Sequence, residues 1–326
     1  MMGEHWRPTF DPTMVHRELE IIKNDLHCNA VRICGLAIDR LMTATEDALK
    51  QGFEVWLSPE MWDKSQEETL DYLVKAAAAV EKLREHWPQQ LVLSVGSELT
   101  LFMQGIVEGN TFMERMGHPA FWEHIKAGVH NKPLHAFLAR ATEAVRQVFR
   151  GNVTYISVPL ETVDWSLFDF VGVDIYREAR IKDAYSDLIK RYFAHKKPVI
   201  VGEFGCCTYQ GAEDAGGRGW AIVDLNTMPL QLNGEYVRDE GLQARELTDV
   251  LSRLDGVGVD GAFVFTFVSP TSPYNEDSQY DLDMASYSLV KSYVDKHGTT
   301  YPDMPWEPKQ SFKAVADYFA KQEAGV

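Results

Sequence analysis

Two glutamates stand at the ends of apolar runs, where a carboxylate is costly to bury without a partner or a purpose. Glu98 closes the run LVLSVGSE, and Glu203 lies within PVIVGEFG. A carboxylate so placed must be paired, hydrogen-bonded or used in chemistry. Two facing carboxyls can divide acid and nucleophile roles at a glycosidic bond, and a separation of about 5 to 5.5 Å leads to retention of configuration. A helix cap or an ion pair with arginine is the structural alternative for each glutamate.

Seven short runs rich in β-branched and aromatic residues alternate with amphipathic segments. The runs are Cys28 to Cys34, Phe53 to Ser58, Leu91 to Ser97, Val153 to Pro159, Phe170 to Tyr176, Pro198 to Phe204 and Gly261 to Phe267. This alternation predicts an α/β protein with the (β/α)8 TIM-barrel fold. Only Met1 to Trp6 remain for another strand, so we expect the first strand to be short or missing. Since no linker or composition shift interrupts the chain, we predict a single domain over residues 1–326.

The segments between the runs carry helix start signals. Asp11 with a following proline opens one helix, and Ser65 with Glu68 forms a capping box at the start of another. Two further helices are predicted over residues 133–149 and 236–254. In parallel barrels the active site lies at the carboxyl ends of the strands, which is where Glu98 and Glu203 fall.

Two long segments follow the runs that carry these glutamates. Residues 99–132 are rich in methionine and aromatic residues, and residues 206–235 are rich in glycine. Segments of this length at the active face of a barrel are commonly lids or subsite walls, so we expect them to define the substrate. Cys206 and Cys207 lie close to Glu203 but have no base in sequence reach, which disfavours a thiol nucleophile.

The charge balance narrows the choice of partner. The 326 residues include 32 Lys and Arg against 48 Asp and Glu, a net charge of −16. Such a surface repels phosphate backbones and anionic lipids, so neither nucleic acid nor a membrane is expected as a partner. The start MMGEHWRPTF lacks a basic region followed by an apolar stretch, which predicts a cytoplasmic protein with reduced cysteines. The sequence leaves a homo-oligomer open.

Metal and nucleotide motifs are missing from the sequence. No HxH ends a predicted strand, and neither HExxH, GxGxxG nor GxxxxGK[ST] occurs. Four histidines cluster in one predicted loop and helix entry, where surface or structural roles are expected: His118, His124, His130 and His135. We therefore predict no cofactor and no metal.

The order of the motifs resembles the large (β/α)8 clan of retaining glycoside hydrolases. NAVRI on the second strand, a glutamate ending the fourth, DIY on the sixth, VGEFG on the seventh and an aromatic-rich eighth strand carry the resemblance, over about residues 11–318. Within the clan the chain looks most like an uncharacterised bacterial group often labelled abortive phage infection proteins. The resemblance implies that Glu98 is the acid/base and Glu203 the nucleophile. By the same resemblance, Arg32 and Tyr176 match the residues that hold the nucleophile ionised and oriented.

Two positions depart from the pattern of the clan. Ser97 stands where an asparagine usually donates to the sugar 2-hydroxyl. The eighth strand reads FTFVSP where many members end on a tryptophan that serves as a sugar platform, which leaves Phe267 as the nearest aromatic. Other candidates for the platform are Trp56, Trp62, Trp122 and Trp220.

Further substrate contacts are expected at strand ends and in the loop after the last run. The candidates are Glu60, Trp62, Asp174, Asp281 and Asp283. For Glu60 a helix-entry turn is the structural alternative, and for Asp174 a pairing with Arg32.

The sequence thus favours a retaining glycosidase that acts on a small β-linked glycoside or oligosaccharide by double displacement, without a cofactor. A noncatalytic carbohydrate-binding barrel is the alternative, which Ser97 and the short first strand permit. A metal-dependent hydrolase on the same fold is the third hypothesis, because barrels host many chemistries.

Overall fold

The computed structural model describes residues 7–324, and its main sheet contains all seven predicted apolar runs. The strands are β1 (Ala30–Gly35), β2 (Glu54–Pro59), β3 (Leu91–Ser97), β4 (Asn152–Ser157), β5 (Val171–Asp174), β6 (Val199–Phe204), β7 (Val223–Asp224), β8 (Gln231–Leu232), β9 (Gly261–Val264), β10 (Val290–Ser292) and β11 (Trp306–Pro308). The main sheet has the order β1-β2-β3-β4-β5-β6-β9, and its seven strands are parallel. The predicted TIM-barrel class is therefore confirmed. The predicted first strand, within Met1 to Trp6, lies outside the described residues.

Helices follow or precede the strands of this sheet throughout the chain. They are α1 (Pro12–Asn24), α2 (Ile38–Lys50), α3 (Gln66–Arg84), α4 (Leu99–Phe102), α5 (Phe112–Gly117), α6 (Phe121–Ala127), α7 (Asn131–Val148), α8 (Tyr185–Lys190), α9 (Ala212–Ala215), α10 (Glu240–Val257) and α11 (Gln310–Ala324). The long segment 99–132 thus contains three short helices. Within residues 7–324, no helix is both long enough and apolar enough to cross a bilayer.

Side-chain caps fix where the helices begin. The capping box at Ser65 and Glu68 is complete, with both reciprocal hydrogen bonds present. Asp239 accepts a hydrogen bond from the amide of Leu242, so α10 begins at Glu240 rather than at the predicted residue 236. Gly258, in the left-handed conformation, ends the helix.

The chain divides into two compact units, and the first contains Asn29–Asp174 and His195–Ile200. Strands β1 to β5 pair in parallel within it, for example with Val55 opposite both Val31 and Leu91. Every residue of β3 is buried, because helices pack beside the sheet and shield it. Buried leucines and alanines such as Leu57 and Ala77 form the core of this unit.

The second unit contains residues 7–28, Ile175–Ala194 and the described chain from Val201 onward. Helices α10 and α11 pack together in it, with Leu247, Leu254 and Val315 buried. Strands β10 and β11 pair antiparallel. Strand β6 begins in the first unit and ends in the second, so Glu203 belongs to the second unit.

Candidate active site

Arg32, on β1, contacts polar side chains at the strand ends of the first unit. Its Nη2 donates to Ser58 Oγ at 3.2 Å and to Glu60 Oε1 at 3.3 Å. Its Nη1 lies 3.8 Å from Asp174 Oδ1. The Arg32 side chain is 5% exposed and that of Asp174 is fully buried, so the pairing is largely shielded from water. Glu60 is thus held by Arg32 at the carboxyl end of β2, and the predicted pairing of Asp174 with Arg32 is present.

Asp174 also connects Arg32 to the end of β3. Ser97 Oγ donates to Asp174 Oδ2 at 3.1 Å, and carboxylate oxygens of Glu98 and Asp174 come within 4.8 Å of each other. Ser97, at the position where an asparagine was expected, therefore donates its hydroxyl to the carboxylate of Asp174. Two acids this close raise the free energy of the state in which both are ionised. Within residues 7–324, no histidine or cysteine joins a metal-ligating group with them.

Glu98 has a left-handed backbone with φ 49° and ψ 40°. A residue other than glycine adopts this region at a cost of about 1–3 kcal/mol, and it persists only where the surroundings hold it. The Glu98 amide donates to the carbonyl of Ile156 at 2.9 Å, which extends the pairing of β3 with β4 by one residue. The turn directs the chain from β3 straight into α4.

Glu203 is held by Tyr176 in the second unit. The Tyr176 hydroxyl donates to Glu203 Oε2 at 2.8 Å, and the Glu203 carbonyl accepts from the amide of Ile175 at 3.0 Å. The Tyr176 ring meets those of Tyr287 and Phe265 edge-on, at centroid distances of 5.4 and 6.5 Å. Both the side chain and the backbone of Glu203 are therefore fixed by the chain that follows β5.

The aromatic candidates have different surroundings. Trp62 stacks on Phe102 with ring centroids 3.9 Å apart, and Phe112 extends the group. Arg115, on the same helix as Phe112, is buried; it pairs with Asp63 and donates to the carbonyl of Leu101. Phe102 and Phe112 belong to residues 99–132, so that segment supplies an aromatic group beside Trp62.

The remaining tryptophan candidates and Phe267 divide into buried and exposed groups. Trp56 is buried edge-on to Phe170, whereas Trp122 is half exposed. Trp220 is partly buried against the cluster that contains Cys206. The Phe267 ring packs edge-on against Trp306, 5.4 Å away, so its contact in this unit is with the hydrophobic core.

Asp281 and Asp283 lie in a buried ion-pair cluster instead of an open loop. Arg238 contacts both carboxylates, at 3.0 and 2.7 Å, and Lys309 lies 2.9 Å from Asp283. The side chains of Asp283 and Lys309 have no exposed surface. Burial raises the pKa of Asp281 and lowers that of Lys309. These aspartates were predicted as contacts for sugar hydroxyls, and in the structure their carboxylates pair with Arg238 and, for Asp283, with the buried Lys309.

The neighbouring cysteines and histidines have structural surroundings. Burial raises the pKa of both Cys206 and Cys207, so their thiols stay neutral near pH 7. His130 and His135 contact the carbonyls of Leu160 and Thr162 respectively. These two histidines therefore connect the start of α7 to the loop after β4 by hydrogen bonds.

Sequence reasoning missed two residues beside Glu98. Tyr155 lies in the middle of the β4 run, where it reads as an ordinary core aromatic, and Glu161 lies in a loop where a glutamate reads as solvated. In the structure both are buried, and they contact the chain that follows Glu98. Nothing in their spacing would have identified them.

Comparison with known proteins supplies the fold relatives. No family model matches the chain, and no curated protein does. A GH113 β-1,4-mannanase superimposes with a TM-score of 0.63 at 14% identity, over 98% of this chain and 95% of that chain. The GH113 β-mannanase AaManA from Alicyclobacillus acidocaldarius, in complex with ManMIm, gives 0.61 at 14% identity with the same coverage. A β-glucuronidase from Ruminococcus gnavus gives 0.58 at 13% identity, over 95% of this chain and 46% of that chain. These comparisons therefore show a TIM-barrel fold.

Proposed function

We propose that this protein is a retaining glycoside hydrolase that cleaves a β-linked glycoside or oligosaccharide by double displacement. Glu203 attacks the anomeric carbon while Glu98 gives its proton to the departing glycosidic oxygen, which leaves as a free hydroxyl. Water then attacks the glycosyl ester on Glu203, and Glu98 takes the proton of that water. Both carboxyls return to their starting protonation, and only substrate and water are consumed.

The hydrogen bond from Tyr176 to Glu203 is the observation that carries the proposal. A nucleophilic carboxylate must present one oxygen to the anomeric carbon from a fixed direction, because reactivity falls steeply with misplacement. Tyr176 holds Oε2 at 2.8 Å, and its ring is braced by Tyr287 and Phe265.

Residues at and just after the end of β5 lie next to both glutamates. Asp174 is the last residue of β5, and Tyr176 follows two residues later. Asp174 lies beside Glu98, whereas Tyr176 donates to Glu203. The double-displacement mechanism requires both glutamates to act on one sugar ring, with a carboxyl separation of about 5 to 5.5 Å.

Asp174 and Arg32 complete the proposed machinery. The negative charge of Asp174 favours the protonated form of Glu98, as an acid needs, and Arg32 balances the charge of Asp174 itself. The contacts of Arg32 with Ser58 and Glu60 keep the guanidinium in place.

Chains of β-1,4-linked mannose are the first substrate class to test. Two fold relatives that match this chain almost from end to end are a β-1,4-mannanase and a β-mannanase, and a β-glucuronidase adds a second type of glycone. The aromatic group of Trp62, Phe102 and Phe112 offers apolar faces of the kind on which sugar rings stack.

The test is phenol release from a panel of aryl β-glycosides, together with hydrolysis of β-1,4-manno-oligosaccharides. We expect release by the wild type and its loss in Glu203→Ala, whereas Glu98→Ala should lose release of those phenols that need a proton to leave, with each variant folded by circular dichroism. Azide should restore Glu203→Ala and give an α-glycosyl azide, since azide then attacks from the face that the nucleophile leaves open. With Glu98→Ala, azide should give the β-azide instead. Wild-type rates in Glu203→Ala would overturn the assignment.

One observation favours the noncatalytic alternative. Ser97 donates its hydroxyl to Asp174 rather than leaving it for a sugar 2-hydroxyl. If no aryl glycoside or oligosaccharide is hydrolysed by folded protein, calorimetric binding of manno-oligosaccharides would support the binding-barrel function, and loss of that binding in Glu203→Ala would locate it.

A further inference from the structure

The chain immediately after Glu98 is held by a buried hydrogen-bond network that the proposed chemistry does not use directly. The amide of Leu99 donates to the Tyr155 hydroxyl oxygen at 2.9 Å, and the amide of Thr100 donates to Glu161 Oε1 at 3.0 Å. These are the first two amides of α4, which have no partner within the helix itself. The network therefore begins one residue from the proposed acid.

Glu161 accepts three hydrogen bonds in this network. Its Oε2 accepts from the Tyr155 hydroxyl at 2.8 Å and from the amide of Val158 at 3.3 Å. The Glu161 side chain is buried, and burial raises its pKa while the hydrogen bonds act in the opposite direction. Every one of these neighbours donates, so the site is built for a group that only accepts, which is a carboxylate.

No lysine or arginine within residues 7–324 pairs with Glu161. A buried carboxylate without such a partner is costly, and it persists where its hydrogen bonds are complete. The neighbouring left-handed turn at Glu98 is also costly and persists only where its surroundings hold it. The two features meet at Leu99 and Thr100. The network thus holds in place the turn that aims the Glu98 side chain.

We infer that Glu161, acting partly through Tyr155, is a positioning residue for the acid/base function of Glu98. The inference rests on the proposed function and adds to it a residue in the loop after β4. Glu161 touches no substrate in this account. Its effect passes through the backbone amides of residues 99 and 100 to the direction of the Glu98 carboxyl.

The variants that test this inference keep the shape of the side chains. Glu161→Gln retains one acceptor oxygen but turns an amide NH2 towards donors, so part of the network must break. Tyr155→Phe removes the acceptor of the Leu99 amide and leaves the ring in place. Glu18→Gln is the matched control, because Glu18 is a buried carboxylate that accepts from Arg7 and Trp306 and whose pKa is likewise raised by burial.

The readout is kcat/KM for a phenyl and a dinitrophenyl β-glycoside of the sugar that the wild type prefers. Phenolate needs a proton to leave, whereas dinitrophenolate leaves without one, so a misplaced acid slows only the first substrate. We expect Glu161→Gln to lose about 10- to 100-fold on the phenyl glycoside and less than about threefold on the dinitrophenyl glycoside. Tyr155→Phe should show the same selectivity with a smaller loss, and Glu18→Gln should change neither rate by more than about twofold.

The outcomes separate this inference from the proposed function. Equal losses on both substrates, or none, in both Glu161→Gln and Tyr155→Phe would overturn the positioning role. If Glu98→Ala also lacks leaving-group selectivity, the acid role of Glu98 fails, and the proposed function fails with it.

If the wild type hydrolyses nothing, amide hydrogen exchange at Leu99 and Thr100 decides whether the network holds this turn. Faster exchange in both variants is then expected, and unchanged exchange would overturn the inference. If Glu161→Gln does not fold, Tyr155→Phe alone decides.

Discussion

Replacing Tyr176 by phenylalanine removes the hydroxyl that donates a hydrogen bond to Glu203. The ring keeps its edge contacts with Tyr287 and Phe265, so the packing is preserved and the change is confined to the 2.8 Å hydrogen bond to Glu203. A hydrogen bond to a charged group contributes about 1.5–3 kcal/mol. Since about 1.4 kcal/mol is a factor of ten in rate, Tyr176→Phe should lower kcat/KM by about 10- to 150-fold.

The assay is the initial rate on the aryl β-glycoside that the wild type hydrolyses best, with urea denaturation run in parallel. Tyr209→Phe is the control, because it also removes a buried hydroxyl of the second unit, one that donates to the carbonyl of Gly219 at 3.1 Å. We expect Tyr209→Phe to retain at least about a third of the wild-type rate. A Tyr176→Phe rate within about threefold of wild type would refute the role given to this hydrogen bond, as would an equal loss in the control.

Three further predictions concern stability. Lys309→Met should lower the free energy of unfolding by about 3 kcal/mol or more in urea, because it leaves Asp283 buried with one fewer cation, and a loss below about 1 kcal/mol would contradict the ion-pair cluster. Burial raises the pKa of Glu18 above its usual 4.5, so the folded state binds more protons than the unfolded state in that range and the stability of the wild type falls as pH rises through it. The unfolding free energy of Glu18→Gln relative to wild type should therefore rise as the pH increases above 4.5, and a constant or falling difference would be inconsistent with the burial. Gly109→Ala should destabilise the protein by about 1–3 kcal/mol in thermal melts, since Gly109 has φ +133° and an added Cβ would lie 2.7 Å from the Arg115 amide; an unchanged melting temperature would be unexpected.

The fold could be predicted because its signals are local. Each apolar run is long enough to be a strand and short enough not to be a helix, and the capping box at Ser65 is a fixed spacing of residue types. The start of α10 was misplaced by four residues because the sequence does not show that the Asp239 side chain, rather than an earlier residue, caps it.

Candidate site residues could be proposed from the sequence where they follow strand ends. Glu98 and Glu203 were proposed because the carboxyl ends of parallel strands are the active face of this fold, and Tyr176 was proposed from the resemblance to the glycoside hydrolase clan. The ion pair of Asp283 was not predicted because its partner Lys309 is distant in sequence, and an aspartate in a polar loop looks the same whether or not a cation is buried beside it. Glu161 was missed for the same reason, since its donors are backbone amides that leave no mark in the sequence.

The most direct test of the central claim is covalent trapping of the proposed nucleophile. A 2-deoxy-2-fluoro aryl β-glycoside of the preferred sugar slows both steps, so the glycosyl ester accumulates and can be found by mass spectrometry of the intact protein and its peptides. The account predicts one added fluoroglycosyl group on the peptide that contains Glu203, and no addition in Glu203→Gln. Turnover of the parent glycoside without any label, or a label on another residue, would contradict it.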